Sequence, residues 1–301
     1  MEPHEPALRD VSSSDDELAS TERRMPHFPG VRASGWTSVG RVREINEDRF
    51  AALPEIGLFM VADGMGGHAA GEVAAQMAVD MVTDFVAQHL ALHPGAGTPA
   101  GPDPTGIMVT AVDRAHLRIQ SASEEDESCA GMGTTFAGLL IRRRKAHIVH
   151  AGDSRVYRLR HGAMEQLTED HSLDNELRRR GFPDSVILSI PKRGALVRSL
   201  GGPRPLLVET RVEDVLEGDL FLLCTDGVCR VLSDGEIERV LLDHEDLGAA
   251  VDELIARADL RGGPDNATAV LARVDSVDDE AELTPRRTGE FLRKRREPRE
   301  D

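Results

Sequence analysis

An α+β sandwich is the fold class this sequence predicts, on three observations. Six short apolar runs bounded by Gly, Asp or Ser read as β-strands. Segments with helical periodicity stand in pairs among them instead of following each strand. Without a regular βα alternation, a doubly wound parallel sheet is disfavoured. There is no internal repeat, and one core is expected although 301 residues would allow two domains.

In chain order, residues 1–30 read as a disordered leader, because S-S-S-D-D-E and R-R-M-P-H-F-P-G lack apolar periodicity. Residues 58–62 (L-F-M-V-A) form the first predicted strand. Residues 71–90 form a predicted helix, with Val73, Met77, Met81 and Phe85 as its apolar stripe. A Pro/Gly loop separates it from a second helix over residues 105–121, striped by Ile107, Ala111, Ala115 and Ile119. Further strands are expected at residues 134–141, 146–151, 155–159, 219–224 and 268–274. The S-D-G-E of residues 233–236 reads as a capping box opening a helix, and residues 247–258 as another. Residues 275–301 form a charged tail that opens acidic and closes on L-R-K-R-R-E-P-R.

Composition excludes several functions. The net charge is −17, from 36 basic and 53 acidic residues. Phosphate-backbone affinity needs clustered Lys and Arg, so nucleic acid is not an expected partner. Aromatics are 3% of the chain, too few for a base-stacking platform. No apolar run approaches the ~20 residues of a membrane span. The N-terminal M-E-P-H-E-P has no apolar core of a signal peptide, and the cytoplasm is the expected location. Cys129, Cys224 and Cys229 have no zinc-like pairing and read as reduced thiols. The leader carries seven acids against three bases and the tail nine against seven, which leaves −11 on residues 31–274.

One pattern recurs: an apolar run, a small residue, an Asp, then Gly or a small polar residue. It appears as V-A-D-G at Asp63, A-G-D-S at Asp153 and C-T-D-G at Asp226. A fourth Asp, Asp265 in G-G-P-D-N, precedes a strand. Converging carboxylates stay ionised together only with cations between them, and all-oxygen ligation selects Mg²⁺ or Mn²⁺. Each Asp alone is as readily a turn or helix-cap residue. A second motif, G-R-V-R-E-I-N-E-D, joins Glu47 and Asp48 to Arg43. A guanidinium fork suits a phosphate, and an exposed charged turn is the plain alternative. The glycine-rich D-G-M-G-G-H-A-A-G-E of residues 63–72 lacks dinucleotide-fingerprint spacing, and Asp63 would repel a pyrophosphate.

Together with G-M-G-T-T, T-E-D-H-S, V-R-S-L-G and G-G-P-D-N-A-T, these motifs resemble the type 2C metal-dependent protein serine/threonine phosphatases in their bacterial form. Eight motifs stand in the expected order, and the resemblance runs from about Ser34 to Val274. The resemblance implies a four-layer αββα sandwich, two antiparallel sheets flanked by helix pairs, with 31–274 as the catalytic domain. It implies two or three ions of Mg²⁺ or Mn²⁺. Asp63 would bridge two of them, with the Gly64 carbonyl as a further ligand. Asp226 and Asp265 would complete one ion. Glu47 would help hold the other, with Asp48 close by through water, and Asp153 with Asp226 would hold a third. Arg43 would clamp the substrate phosphate. A hydroxide bridging the metals would attack phosphorus with no phosphoenzyme.

Where eukaryotic relatives carry an acidic His, this chain has Met65, which cannot donate a proton. His68 and His171 are weighed as replacements, and a structural role suits each better. Residues 172–196 match the family's mobile flap, where Arg178, Arg179 and Arg180 would meet acidic phosphoproteins or simply face solvent. Expected partners are phosphorylated proteins, among them Ser/Thr kinases and their substrates, met by a monomer. A non-catalytic phosphoprotein binder and a phosphatase dedicated to one regulatory partner are the alternatives.

Overall fold

The computed structural model describes residues 30–66, 70–93, 101–192, 194–203 and 205–277. Nearly all of the leader and tail, and His68, lie outside these residues. Two sheets, antiparallel at every pairing, carry the fold. The first orders β1 (Val31–Ser38), β11 (Ala267–Val274), β10 (Leu220–Cys224), β7 (Arg155–Arg160) and β8 (Ala163–Gln166). The second orders β2 (Asp48–Leu53), β3 (Leu58–Met65), β5 (Phe136–Arg142), β6 (Lys145–Ala151) and β9 (Glu209–Asp214), with β4 (Gly133–Thr134) paired to β3.

The apolar runs are continuous because both faces of the central strands are buried. In β3, Leu58, Met60 and Ala62 face one side, against α1 (Ala70–Leu92) and α2 (Pro104–Glu125). Phe59 and Val61 face the other, where Phe221, Leu223 and Val270 of the first sheet meet them. In β10, Leu220, Leu222 and Cys224 point outward onto α6 (Asp234–Asp243) and α7 (Leu247–Leu260). Helices on sheet on sheet on helices give the four layers expected. Ser233 and Glu236 form the predicted capping box at the start of α6.

Two expectations are corrected. The stripe assigned to α1 is displaced, since a strict four-residue spacing drifts around a 3.6-residue helix. Its buried face is Ala74, Ala75, Ala78, Val82, Val86 and Ala87, while Val73 is 39% exposed and Met77, Met81 and Phe85 lie at its margin. Small residues let the helix sit close on the sheet. The strand expected over residues 134–141 is broken at Thr135, whose backbone N–H and side chain are both bonded to Asp63. Within the flap segment, α3 (Leu173–Arg179) and α4 (Asp184–Ile187) form. Arg178 pairs with Asp174 and Asp184, and Arg180 with Glu176, so much of that charge is already matched within the segment.

Candidate metal centre

Register brings the predicted residues to one end of the sandwich. In the second sheet Asp48 opens β2 directly opposite Asp63 near the end of β3. The Gly64 N–H donates to the Glu47 carbonyl at 3.2 Å, just outside that pair. The pair is therefore of the non-hydrogen-bonded kind, with Cα atoms about 4.5 Å apart and side chains close. Like charges so placed repel. In the first sheet Cys224 aligns with Arg155 and with Ala269. The same end thus holds Asp226 just past β10, Asp153 just before β7 and Asp265 just before β11.

Hydroxyls tie the sheets together beneath the carboxylates. Asp48 is buried, and its Oδ2 accepts from Thr225 at 2.7 Å, just past β10, and from Thr268 at 2.6 Å, in β11 of the opposite sheet. Asn266 accepts from the Glu47 N–H at 2.8 Å and donates to the Val39 and Ile45 carbonyls, which fixes the Arg43 loop. Thr135 donates its backbone N–H to the Asp63 carbonyl at 2.8 Å and meets Ser154 beside Asp153. Glu47 Oε1 accepts from the Gly71 N–H at 3.1 Å, at the positive end of α1. A Cβ on Gly71 would lie 2.4 Å from that oxygen, and one on Gly64 would lie 2.1 Å from the Gly71 carbonyl oxygen. Only glycines allow this helix start to reach the acidic cluster.

The electrostatics record the convergence. Burial pushes Asp48 up to about 7, opposed by the two threonine hydroxyls and helped by Asp226 and Asp265. Burial, then Asp48, Asp226, Asp153 and Asp265, hold Asp63 well above the usual carboxylate range. Burial and Asp226 push Asp153 up to about 6 against the pull of Arg230. Burial also raises Asp226 and Glu47. Among the described residues, Asp48 Oδ1 and Asp226 Oδ1 are buried with no hydrogen-bond donor. Partnerless buried oxygens in a set of carboxylates fit a hard divalent cation.

Arg43 stands at the rim, 48% exposed, with Nη2 donating to Asp265 Oδ2 at 2.8 Å. Met65 ends β3 opposite Gly133. His171 is buried behind the cluster. It accepts the Gly152 N–H at Nδ1 (3.1 Å), so its proton sits on Nε2, 3.2 Å from Glu209. Burial and neighbouring His150 push it down to about 4. It braces the Asp153 loop. His150, His171 and Glu209 bring ligand atoms within 4.8 Å of one another. Arg198, whose Nη1 lies 3.0 Å from His171 Nε2, already puts a cation where a metal would need to stand. Cys224 and Cys229 are buried free thiols, as expected. Thr225, Thr268, Asn266 and Arg230 carried no assigned role in the sequence, although each sits in or beside a quoted motif.

Comparisons with known proteins agree with this geometry. The family profile described as protein phosphatase 2C matches residues 37–262. A serine/threonine phosphatase stp of Listeria innocua is 35% identical over 239 residues, 78% of this chain and 92% of that protein. PstP of Mycobacterium tuberculosis is 35% identical over 251 residues, 82% of this chain and 46% of that protein. Among solved structures, PppA of Pseudomonas aeruginosa superposes with a TM-score of 0.69 at 34% identity, covering 82% of this chain and 99% of that one. The catalytic domain of PstP in complex with two manganese ions gives 0.69 at 31% identity, covering 82% and 99%. With a matched profile over most of the core and the same sandwich beneath it, the chain belongs to the protein phosphatase 2C family.

Proposed function

We propose that the chain is a metal-dependent protein serine/threonine phosphatase, hydrolysing phospho-Ser/Thr on proteins with Mg²⁺ or Mn²⁺. The observation that carries this reading is the meeting of Asp48, Asp63, Asp153, Asp226 and Asp265 at one sheet end, with buried oxygens that lack donors. Relatives named serine/threonine phosphatases, and a neighbour with two manganese ions, support it.

In this reading Asp63 and the Gly64 carbonyl would help to hold the two cations. Asp226 and Asp265 serve one position, and Glu47, with Asp48 behind it, serves the other. When bound, two divalent ions offset the phosphate dianion's charge and acidify a water to the nucleophile. Asp48 is held by two hydroxyls, which keeps the cluster rigid before the substrate arrives. Arg43 leaves Asp265 to grip two phosphate oxygens with its planar fork. Asp265 is thereby freed for the cation. No side chain need attack phosphorus: Cys229 is buried, and the neighbouring Cys224 and burial hold its thiol well above the ordinary range.

Phosphorylated Ser/Thr kinases and their substrates are the partners we propose, met by a monomer in the cytoplasm. No helix among the described residues is long and apolar enough to cross a membrane. The test is phosphate release from a panel of phosphoserine and phosphothreonine peptides. Turnover of several peptides in Mn²⁺, stopped by chelation, is expected. Binding without turnover would make the chain a non-catalytic relative, and turnover of one partner only would make it a dedicated enzyme.

A further inference from the structure

A cation already stands in the acidic cleft, and it belongs to the chain. Arg230 follows the short helix α5 (Asp226–Cys229), one turn beyond Asp226. Its Nη2 pairs with Asp153 Oδ2, and its Nη1 lies 3.2 Å from Asp226 Oδ2. The two carboxylates come from different strand ends and are mostly buried, with side-chain exposures of 4% and 16%. The tether is short, because the Arg230 backbone N–H also donates to the Asp226 carbonyl at 2.8 Å.

Asp153 and Asp226 are the pair that the family resemblance assigns to a third divalent ion. An ion there needs an oxygen from each, and one guanidinium engages both. Its planar fork spans two carboxylates with parallel N–H donors, which a single metal would otherwise hold. We propose that Arg230 replaces the third ion, so that this chain binds two divalent ions and neutralises Asp153 with its own side chain. The proposal rests on the two-metal reading above.

The flap lies against the same group. A Cβ on Gly194 would lie 3.9 and 4.0 Å from the two terminal nitrogens of Arg230. A cavity of about 480 Å³ opens beside them, lined by Arg155, Asp170, Lys192 and Arg230 among others. A fixed guanidinium keeps the charge of Asp153 offset whatever the free metal concentration, where a third ion would come and go. Removing it leaves two buried carboxylates facing an open space, an all-oxygen site for a hard cation.

The experiment counts manganese on the metal-stripped full chain by calorimetry, with the bound metal measured after desalting. Two Mn²⁺ are expected on the wild type and three on Arg230→Ala. Adding Asp153→Asn to Arg230→Ala should return the count to two. Three ions on the wild type, or two on both the wild type and Arg230→Ala, overturn the proposal. Fewer than two on the wild type overturn the two-metal reading itself, and the proposal with it. Arg230 is 44% exposed, so the alanine variant should fold. Should it not, the wild-type count decides alone, two in favour and three against.

Discussion

Replacing Asp48 by Asn should change how stability depends on pH, not only its size. Asp48 sits opposite Asp63, takes two threonine hydroxyls on Oδ2 and has no donor at Oδ1. Its carboxyl is pushed up from 3.8 to about 7, first by burial. The unfolded chain therefore ionises near pH 4 and the metal-free folded chain only near pH 7. A raised acid contributes stability at low pH and loses it as pH rises to the folded value. Between pH 5 and pH 8 the interval that counts is about two units, which at 1.36 kcal/mol per unit is ~3 kcal/mol. Urea denaturation in EDTA at both pH values gives the difference between wild type and Asp48→Asn. Groups remote from the cluster are common to both proteins and cancel, while Asp63, which Asp48 helps to raise, adds to the difference in the same direction. The wild type should lose ~3 kcal/mol relative to the variant between pH 5 and pH 8. Mn²⁺ at pH 8 should stabilise the wild type more than the variant. A gap that stays constant with pH, or moves the other way, would refute the claim that the cleft disfavours charge on Asp48 until cations offset it.

Arg43→Ala should lower kcat/KM on a phosphothreonine peptide by roughly 10- to 100-fold, about 1.4–2.8 kcal/mol, and Arg43→Lys should recover only part, because the fork is lost. Steady-state kinetics at saturating Mn²⁺ would show it. Gly71→Ala should destabilise the chain by roughly 2–3 kcal/mol, since the new methyl meets Glu47 Oε1 at 2.4 Å and the Gly64 backbone at 2.7 Å. Thermal melts would measure it. His171, buried and pushed down to about 4, should cost the wild type up to ~3 kcal/mol relative to His171→Gln as pH falls from 6.5 to 4. Here the folded value lies below the unfolded one, so the stability is present at neutral pH and lost in acid. Acid-induced unfolding of the two proteins would compare them.

The carboxylates were legible because each stands where an apolar run stops or starts, and a strand end at glycine is visible without a structure. Their convergence was not, since it depends on antiparallel register within each sheet and on the packing of one sheet on the other, which brings Asp48 to Thr268 across 220 residues. Four strands escaped the sequence reading. β9 alternates exposed and half-buried residues at a sheet edge, so its pattern is polar apart from Val212. β2 lay inside a motif read for chemistry, β8 has four residues, and β1 is mostly half-buried. Thr225 and Thr268 act by hydrogen-bonding a buried acid, which no local pattern marks. Arg230 did leave a signal, four residues after Asp226 at a helical spacing.

The central claim, that this carboxylate cluster holds the divalent ions of a phosphoprotein phosphatase, is tested most directly by phosphate release from a phosphothreonine peptide as Mn²⁺ is titrated into the metal-stripped chain and into Asp226→Asn. The account predicts a rate that rises from background to saturation in the wild type, and at least a 100-fold loss in the variant at the same Mn²⁺, about 2.7 kcal/mol. Release that persists without metal, or that Asp226→Asn leaves unchanged, would contradict it.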